Sequence, residues 1–137
     1  RRQRVAAAGA IEDMVAAMRA HPQEESVQQQ GSCALANVCE GDDAAAPARR
    51  QRAAGAGAIE EVVAAMRAHP QEADVQVQGC SALFEICCGG SGVRARKRRA
   101  TQAGGRTVAV AAMQAHPDHD GVQDYGRQLL GCLPVEV

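Results

Sequence analysis

Apolar residues along this chain recur at the spacing of amphipathic helices. In residues 58–68 they occupy the i, i+3, i+4 and i+7 positions of one helix face, and residues 72–87 carry a second stripe that includes small residues. The first stripe consists of Ile59, Val62, Val63 and Met66. The second consists of Val75, Gly79, Ala82, Leu83 and Ile86. Glycine and alanine on a helix face let neighbouring helices approach closely, so we expect helix to pack on helix.

Glycine and the dipeptide His-Pro mark where these helices end. Gly57 follows a short basic segment at 48–54, and glycine accepts the left-handed backbone that stops a helix. His69-Pro70 follows residues 58–68, and proline disfavours α conformation in the residue before it. Gly9 and the Gly104-Gly105 pair occupy the same place elsewhere in the chain and predict the same helix ends.

The whole pattern is repeated. Residues 8–24 return almost unchanged at 56–72, an offset of 48, and a weaker third copy at 110–117 is offset by 47 from the second. We therefore predict one domain, 1–137, of three units at about 1–43, 44–91 and 92–137. Three short helices cannot close a core alone, so each unit must stack on the next. The chain starts without Met, and we expect it to be a segment of a longer protein.

Composition agrees with a helical fold that lacks a large central core. Apolar residues make up 46% of the chain, and 29 of these residues are alanine. The aromatic residues of the sequence are Phe84 and Tyr125 alone. Alanine favours helix more than any other residue, and strand-forming residues are scarce. An all-β fold is excluded, and the buried area must come from many small contacts.

The units resemble armadillo repeats. Ala8-Gly9-Ala10-Ile11, then Val27-Gln28, then Ala34-Leu35-Ala36-Asn37-Val38 match the family's pattern in order and spacing, and the second unit matches again from Ala56 to Ile86. The resemblance covers nearly the whole chain and is weakest in the third unit. It implies an all-α fold, a right-handed α-solenoid of about three armadillo-type three-helix repeats. It also implies that the third helices line a concave groove for protein partners.

The peptide-binding residues of that family are kept only in part. Its members place Trp and Asn four residues apart on the third helix; here Asn37 keeps the asparagine, but Cys33 stands where the tryptophan would be. Ser81 and Glu85 occupy those positions in the second unit. The predicted partner-binding groove comprises Gln29, Cys33, Asn37, Glu40, Ser81, Glu85, Asp124 and Gln128. Its three acidic residues predict a basic or polar segment as the partner.

Basic residues recur on the first helix of each unit and predict a second surface. In stacked units they would form one basic ridge, made of Arg49, Arg50, Arg52, Arg94, Arg96, Lys97, Arg98 and Arg99. Such a ridge could bind an acidic protein, a phosphate or RNA. The alternative is that these arginines are simply solvated and cover alanine-rich surface with their stems. The net charge of −1 and the lack of aromatic residues for stacking bases argue against nucleic acid.

Histidine and cysteine residues are interpreted as structural. His21, His69 and His116 precede proline at the same point of each unit, where histidine can cap helix carbonyls. The six cysteines follow no disulfide or zinc pattern, although the vicinal Cys87-Cys88 could be redox-active. We therefore expect no metal and no cofactor. A reducing, intracellular setting follows, in the cytoplasm or alternatively the nucleus.

The sequence thus predicts a protein-interaction or scaffolding module and not an enzyme. No uncharged apolar run reaches the length of roughly 18–20 residues that a membrane span needs. The polar residues follow the repeat and do not converge on one catalytic point. The alternatives are a structural subunit of a large assembly, and a module that binds RNA or an acidic partner through the basic ridge.

Overall fold

The computed structural model of this chain describes residues 2–88 and 93–133, with side chains from residue 9 onward, and it is all-α as predicted. Within these ranges there are eight helices and no strand. The helices are α1 (Arg2–Ala20), α2 (Glu25–Cys39), α3 (Ala46–Gly55), α4 (Ala58–Ala68), α5 (Ala73–Cys87), α6 (Val93–Ala103), α7 (Gly105–Ala115) and α8 (Asp120–Cys132). None of these helices is long and apolar enough to cross a bilayer.

Left-handed glycines separate the first and second helices of two units, as predicted. Gly57 has φ of 92° between α3 and α4, and Gly104 has φ of 97° between α6 and α7. The prediction for Gly9 is wrong, because α1 continues through it. An added Cβ at Gly57 would lie 2.9 Å from the guanidinium of Arg19, whereas nothing lies within 4 Å of one at Gly9. Among the described residues, Gly9 therefore has no counterpart of the Arg19 side chain that packs over Gly57.

The helices α2, α5 and α8, which correspond to the predicted third helix of each unit, carry most of the packing between units. Helix α5 lies between α2 and α8 and contacts both extensively. One core cluster joins buried residues of all three units, and it includes both stripes predicted from the sequence apart from Gly79, which is buried on α5. Since the core continues from one unit to the next, the units stabilise one another.

Within each unit, a glycine of the third helix lies against a methionine of the second. An added Cβ at Gly31 would approach Met18 to 2.7 Å, and one at Gly79 would approach Met66 to 2.6 Å. The third unit repeats the contact between Gly126 and Met113 at 2.7 Å. The missing side chain lets the helices come close enough to bury Met18 and Met66 and to half-bury Met113, which explains why glycine stands on an otherwise apolar stripe.

A buried glutamine joins the same two helices. The side-chain amide of Gln76 donates to the carbonyl oxygens of Met66 at 3.0 Å and of His69 at 2.9 Å, where α4 ends. Gln28 and Gln123 make the equivalent pairs of hydrogen bonds in the first and third units. Carbonyl groups at a helix end have no partner within the helix, so this glutamine satisfies groups that would otherwise be buried without one.

Candidate partner-binding surface

The predicted groove residues all lie on or just after the third helices, and none is buried. Within each helix they are spaced four residues apart, so they share a helix face: Gln29, Cys33 and Asn37 on α2, Ser81 and Glu85 on α5, Asp124 and Gln128 on α8. Asn37, Glu40, Asp124 and Gln128 are exposed, and the other four are half-buried. Because the three helices pack side by side, these residues lie on neighbouring helices.

Glu40 and Glu85 form an acidic pair between the first and second units. Partial burial raises the pKa of Glu85 above its usual value, and the negative charge of Glu40 raises it further. Arg50 opposes the shift, but its guanidinium donates to the backbone carbonyl oxygen of Glu85 at 3.1 Å and not to the carboxylate. No described cation is bonded to the carboxylate of Glu85, so this acidic pair would favour a cationic partner. Asp124 is different, because it lies 3.5 Å from Arg127 in an exposed ion pair.

Asn37 keeps hydrogen-bonding capacity. Its amide nitrogen lies 3.8 Å from the sulfur of Cys33, which is a weak acceptor. Within the described part of the chain its side-chain oxygen has no hydrogen bond. An exposed amide with a free acceptor can bind a peptide backbone.

Sequence reasoning missed three apolar side chains on these helices. Val77 aligns with Gln29 through the 48-residue offset and is half-buried on α5. Phe84 is also half-buried on α5, and Tyr125 on α8 is 37% exposed. The signal was present, because both aromatic residues of the chain lie on third helices. Val77 and Phe84 also pack partly against the core, so Tyr125 is the most exposed of the three.

The continuous basic ridge predicted from the sequence is wrong for two of its members, which are buried. Arg50 is 6% exposed and donates to the carbonyl oxygens of Cys39, at 2.9 Å, and Gly41. Arg96 is 2% exposed and donates to the carbonyl oxygen of Ile86 at 2.7 Å. Both guanidinium groups lie at the carboxyl ends of third helices, where unpaired carbonyls and the helix dipole attract cations.

Three further members of the ridge are paired with carboxylates. Arg49 binds Asp43 at 2.9 Å, Arg52 binds Glu12 at 2.8 Å, and Arg99 binds Glu60 at 2.7 Å. The last two pairs are equivalent contacts between successive units. Of the eight predicted residues, the remaining three are Arg94, Lys97 and Arg98.

The expectation that the cysteines do not pair is also wrong, because Cys88 and Cys132 form a disulfide with a Cα–Cα distance of 6.1 Å. The repeat gave no sign of it, since Cys132 aligns with Glu85 and not with Cys88. The vicinal Cys87 stays a free, buried thiol, and burial raises its pKa to about 12. The prediction of a reducing, intracellular setting rested on unpaired cysteines and loses that support.

The recurrent histidine of each unit has a structural use. The ring Nε2 of His69 lies 2.9 Å from the carbonyl oxygen of Pro22, and that of His116 lies 2.9 Å from the carbonyl oxygen of Pro70. His21 instead lies 3.1 Å from Glu24. His69 and His116 thus link each unit to the one before it. Their partners are carbonyl oxygens of the preceding unit and not the carbonyls at the end of their own helix that the sequence predicted.

The described residues include no group of three or more His, Cys, Asp or Glu side chains placed to hold a metal ion. Comparisons of the chain with protein-family models, with curated proteins and with solved structures found no match.

Proposed function

We propose that this chain is an armadillo-type α-solenoid that acts as a protein-interaction module and scaffold, without catalysis. Support for the solenoid comes from contacts that recur between successive units, namely the histidine–carbonyl and arginine–glutamate pairs. Support for binding comes from the third helices, which present the exposed polar side chains of Asn37, Asp124 and Gln128. Repeat proteins commonly use such an extended face to bind partners.

The observation that carries the proposal is the acidic pair of Glu40 and Glu85. The carboxylate of Glu85 is partly withdrawn from water and lies near a like charge, an arrangement that costs stability in the free protein. A lysine or arginine of a partner would relieve that cost. With Asn37 one turn before Glu40 to hold the partner backbone, the surface favours an extended basic segment.

Anisotropy of a short labelled peptide of alternating lysine and serine tests the proposal. Glu85→Lys removes one carboxylate from the protein and introduces a positive charge that repels the lysines of the peptide. We therefore expect the dissociation constant to rise about tenfold or more. Asn37→Ala should weaken binding by a smaller factor through loss of backbone hydrogen bonds.

Asp13→Lys is the matched control, because it makes the same change of charge sign at an exposed position of α1. Binding that is equal in the wild type and in Glu85→Lys, or that Asp13→Lys weakens as much, would overturn the proposal. Circular dichroism of each variant checks that the helices are kept.

A further inference from the structure

Three cations of α6 share one face of the helix and have no partner among the described residues. Arg94, Lys97 and Arg98 are spaced i, i+3 and i+4, which places their side chains as neighbours. None of them forms a hydrogen bond or an ion pair through its side chain with another described residue. Glu60 lines a neighbouring cavity with Arg98, but its carboxylate is bound by Arg99 at 2.7 Å. Within the described part of the chain, the charges of these three cations are therefore not neutralised by a bound carboxylate.

The same three side chains line a cavity between α6 and the end of α8. Its volume is about 610 Å³, large enough for several side-chain groups. The apolar residues Val93 and Leu133 line it beside the cations. Thr101 also lines it, but its hydroxyl donates to the backbone carbonyl of Lys97 at 2.9 Å. The cavity thus combines an apolar wall with three cations that are unpaired among residues 2–88 and 93–133.

We infer that this cavity binds an acidic peptide segment, with carboxylates at Arg94, Lys97 and Arg98 and an apolar side chain against Val93 and Leu133. The mixed lining favours a peptide over nucleic acid, because no aromatic residue is present to stack a base. Arginine suits the role, since its planar guanidinium binds a carboxylate through two hydrogen bonds. The site differs from the proposed groove in its helix and in the sign of its charge.

The disulfide borders this site. Cys132 lines the cavity and is bonded to Cys88, so the bond ties the end of α8, which forms one wall, to the end of α5. A wall held in this way keeps the apolar residues in place for a ligand, and less conformational freedom is lost on binding.

A labelled peptide of glutamate and aspartate residues around one leucine is the probe, with anisotropy on the whole chain as the measurement. We expect Arg98→Glu and Arg94→Glu each to raise its dissociation constant about tenfold or more, and Lys97→Gln to raise it less. The matched control is Arg127→Glu, since Arg127 is exposed on α8 and does not line the cavity. Replacing the leucine of the peptide by serine should weaken binding to the wild type.

The outcomes distinguish a peptide site from general charge attraction and from an RNA site. Equal weakening by Arg127→Glu and Arg98→Glu would show non-specific charge attraction and overturn the inference. So would an RNA oligonucleotide that binds the wild type more tightly than the peptide and loses that affinity in Arg98→Glu. Glu85→Lys should leave binding of the acidic peptide unweakened, so this site and the proposed groove can fail independently. Unchanged circular dichroism shows that a variant is folded.

Discussion

The ring of His69 in the second unit lies 2.9 Å, through Nε2, from the carbonyl oxygen of Pro22 in the first unit. A carbonyl oxygen only accepts a hydrogen bond, so the Nε2 atom carries the hydrogen. His116 and Pro70 repeat the contact between the second and third units at 2.9 Å. The turn that ends the second helix of one unit is thereby tied to the same turn of the next.

Replacing His69 by alanine should lower the free energy of unfolding by about 1 kcal/mol, the usual net contribution of one hydrogen bond. His21→Ala is the control, because the ring of His21 contacts Glu24 of its own unit and, among the described residues, no carbonyl of another unit. Urea unfolding of both variants measures the difference. An equal loss of stability in the two would show that the contact between units contributes nothing.

Gln76→Met should lower the free energy of unfolding by about 2 kcal/mol. Methionine keeps the length of the side chain but removes the amide that donates to the carbonyl oxygens of Met66 and His69. Gln76 is 2% exposed, so water cannot easily replace those hydrogen bonds. The equivalent change at Gln123, which is half-buried, should cost less. Thermal unfolding of the two variants makes the comparison, and a larger loss at Gln123 would contradict it.

Gly79→Ala should destabilise the protein by about 1–2 kcal/mol, although alanine is the better helix former. An added Cβ would lie 2.6 Å from the side chain of Met66, which is itself buried and has little room to move. Gly55→Ala is the control, because no described atom lies within 4 Å of a Cβ added there, and this change should not destabilise the protein. Combining Gly79→Ala with Met66→Ala should show coupling, measured by a double-mutant cycle in urea. If the effects of the two changes on the free energy of unfolding were additive, the added methyl group at position 79 would not be in conflict with Met66.

The sequence predicted helices α4 and α5 well because their limits depend on local signals, whereas the helix end predicted at Gly9 is absent. Helix α4 begins and ends at the residues predicted from its stripe and its flanking Gly57 and His69. The buried stripes were predicted correctly for the same reason. The burial of the arginines could not be predicted in this way, because whether Arg50 faces water or the end of α2 in the first unit depends on how the two units pack. The same holds for Cys88 and Cys132, which are 44 residues apart and not equivalent in the repeat.

The disulfide between Cys88 and Cys132 should stabilise the fold strongly. It joins residues separated by 44 positions, and closing a loop of that length in the unfolded chain corresponds to about 4 kcal/mol. Replacing both cysteines by serine should therefore lower the urea midpoint, as should reduction of the wild type. Cys33→Ser is the control, because Cys33 is free and half-buried. Alkylation of the unreduced, unfolded protein followed by mass analysis should show four reactive thiols, the number of free cysteines; six would contradict the pairing.

Stability should fall as the pH rises through the titration of Glu85. The pKa of this carboxyl is higher in the folded protein than its ordinary value of 4.5. At pH values between these two pKa values, the folded protein holds a proton that the unfolded chain has released. Stability is therefore lost as pH increases across that window, opposite to the behaviour of a carboxylate in an ion pair. Glu40→Gln removes the like charge, so the pKa of Glu85 should move back toward 4.5. NMR titration of the side-chain carboxyl carbon of Glu85 measures this change. Asp13→Asn is the control that removes an acid from α1, and an equal shift of Glu85 in that variant would show that Glu40 has no special effect.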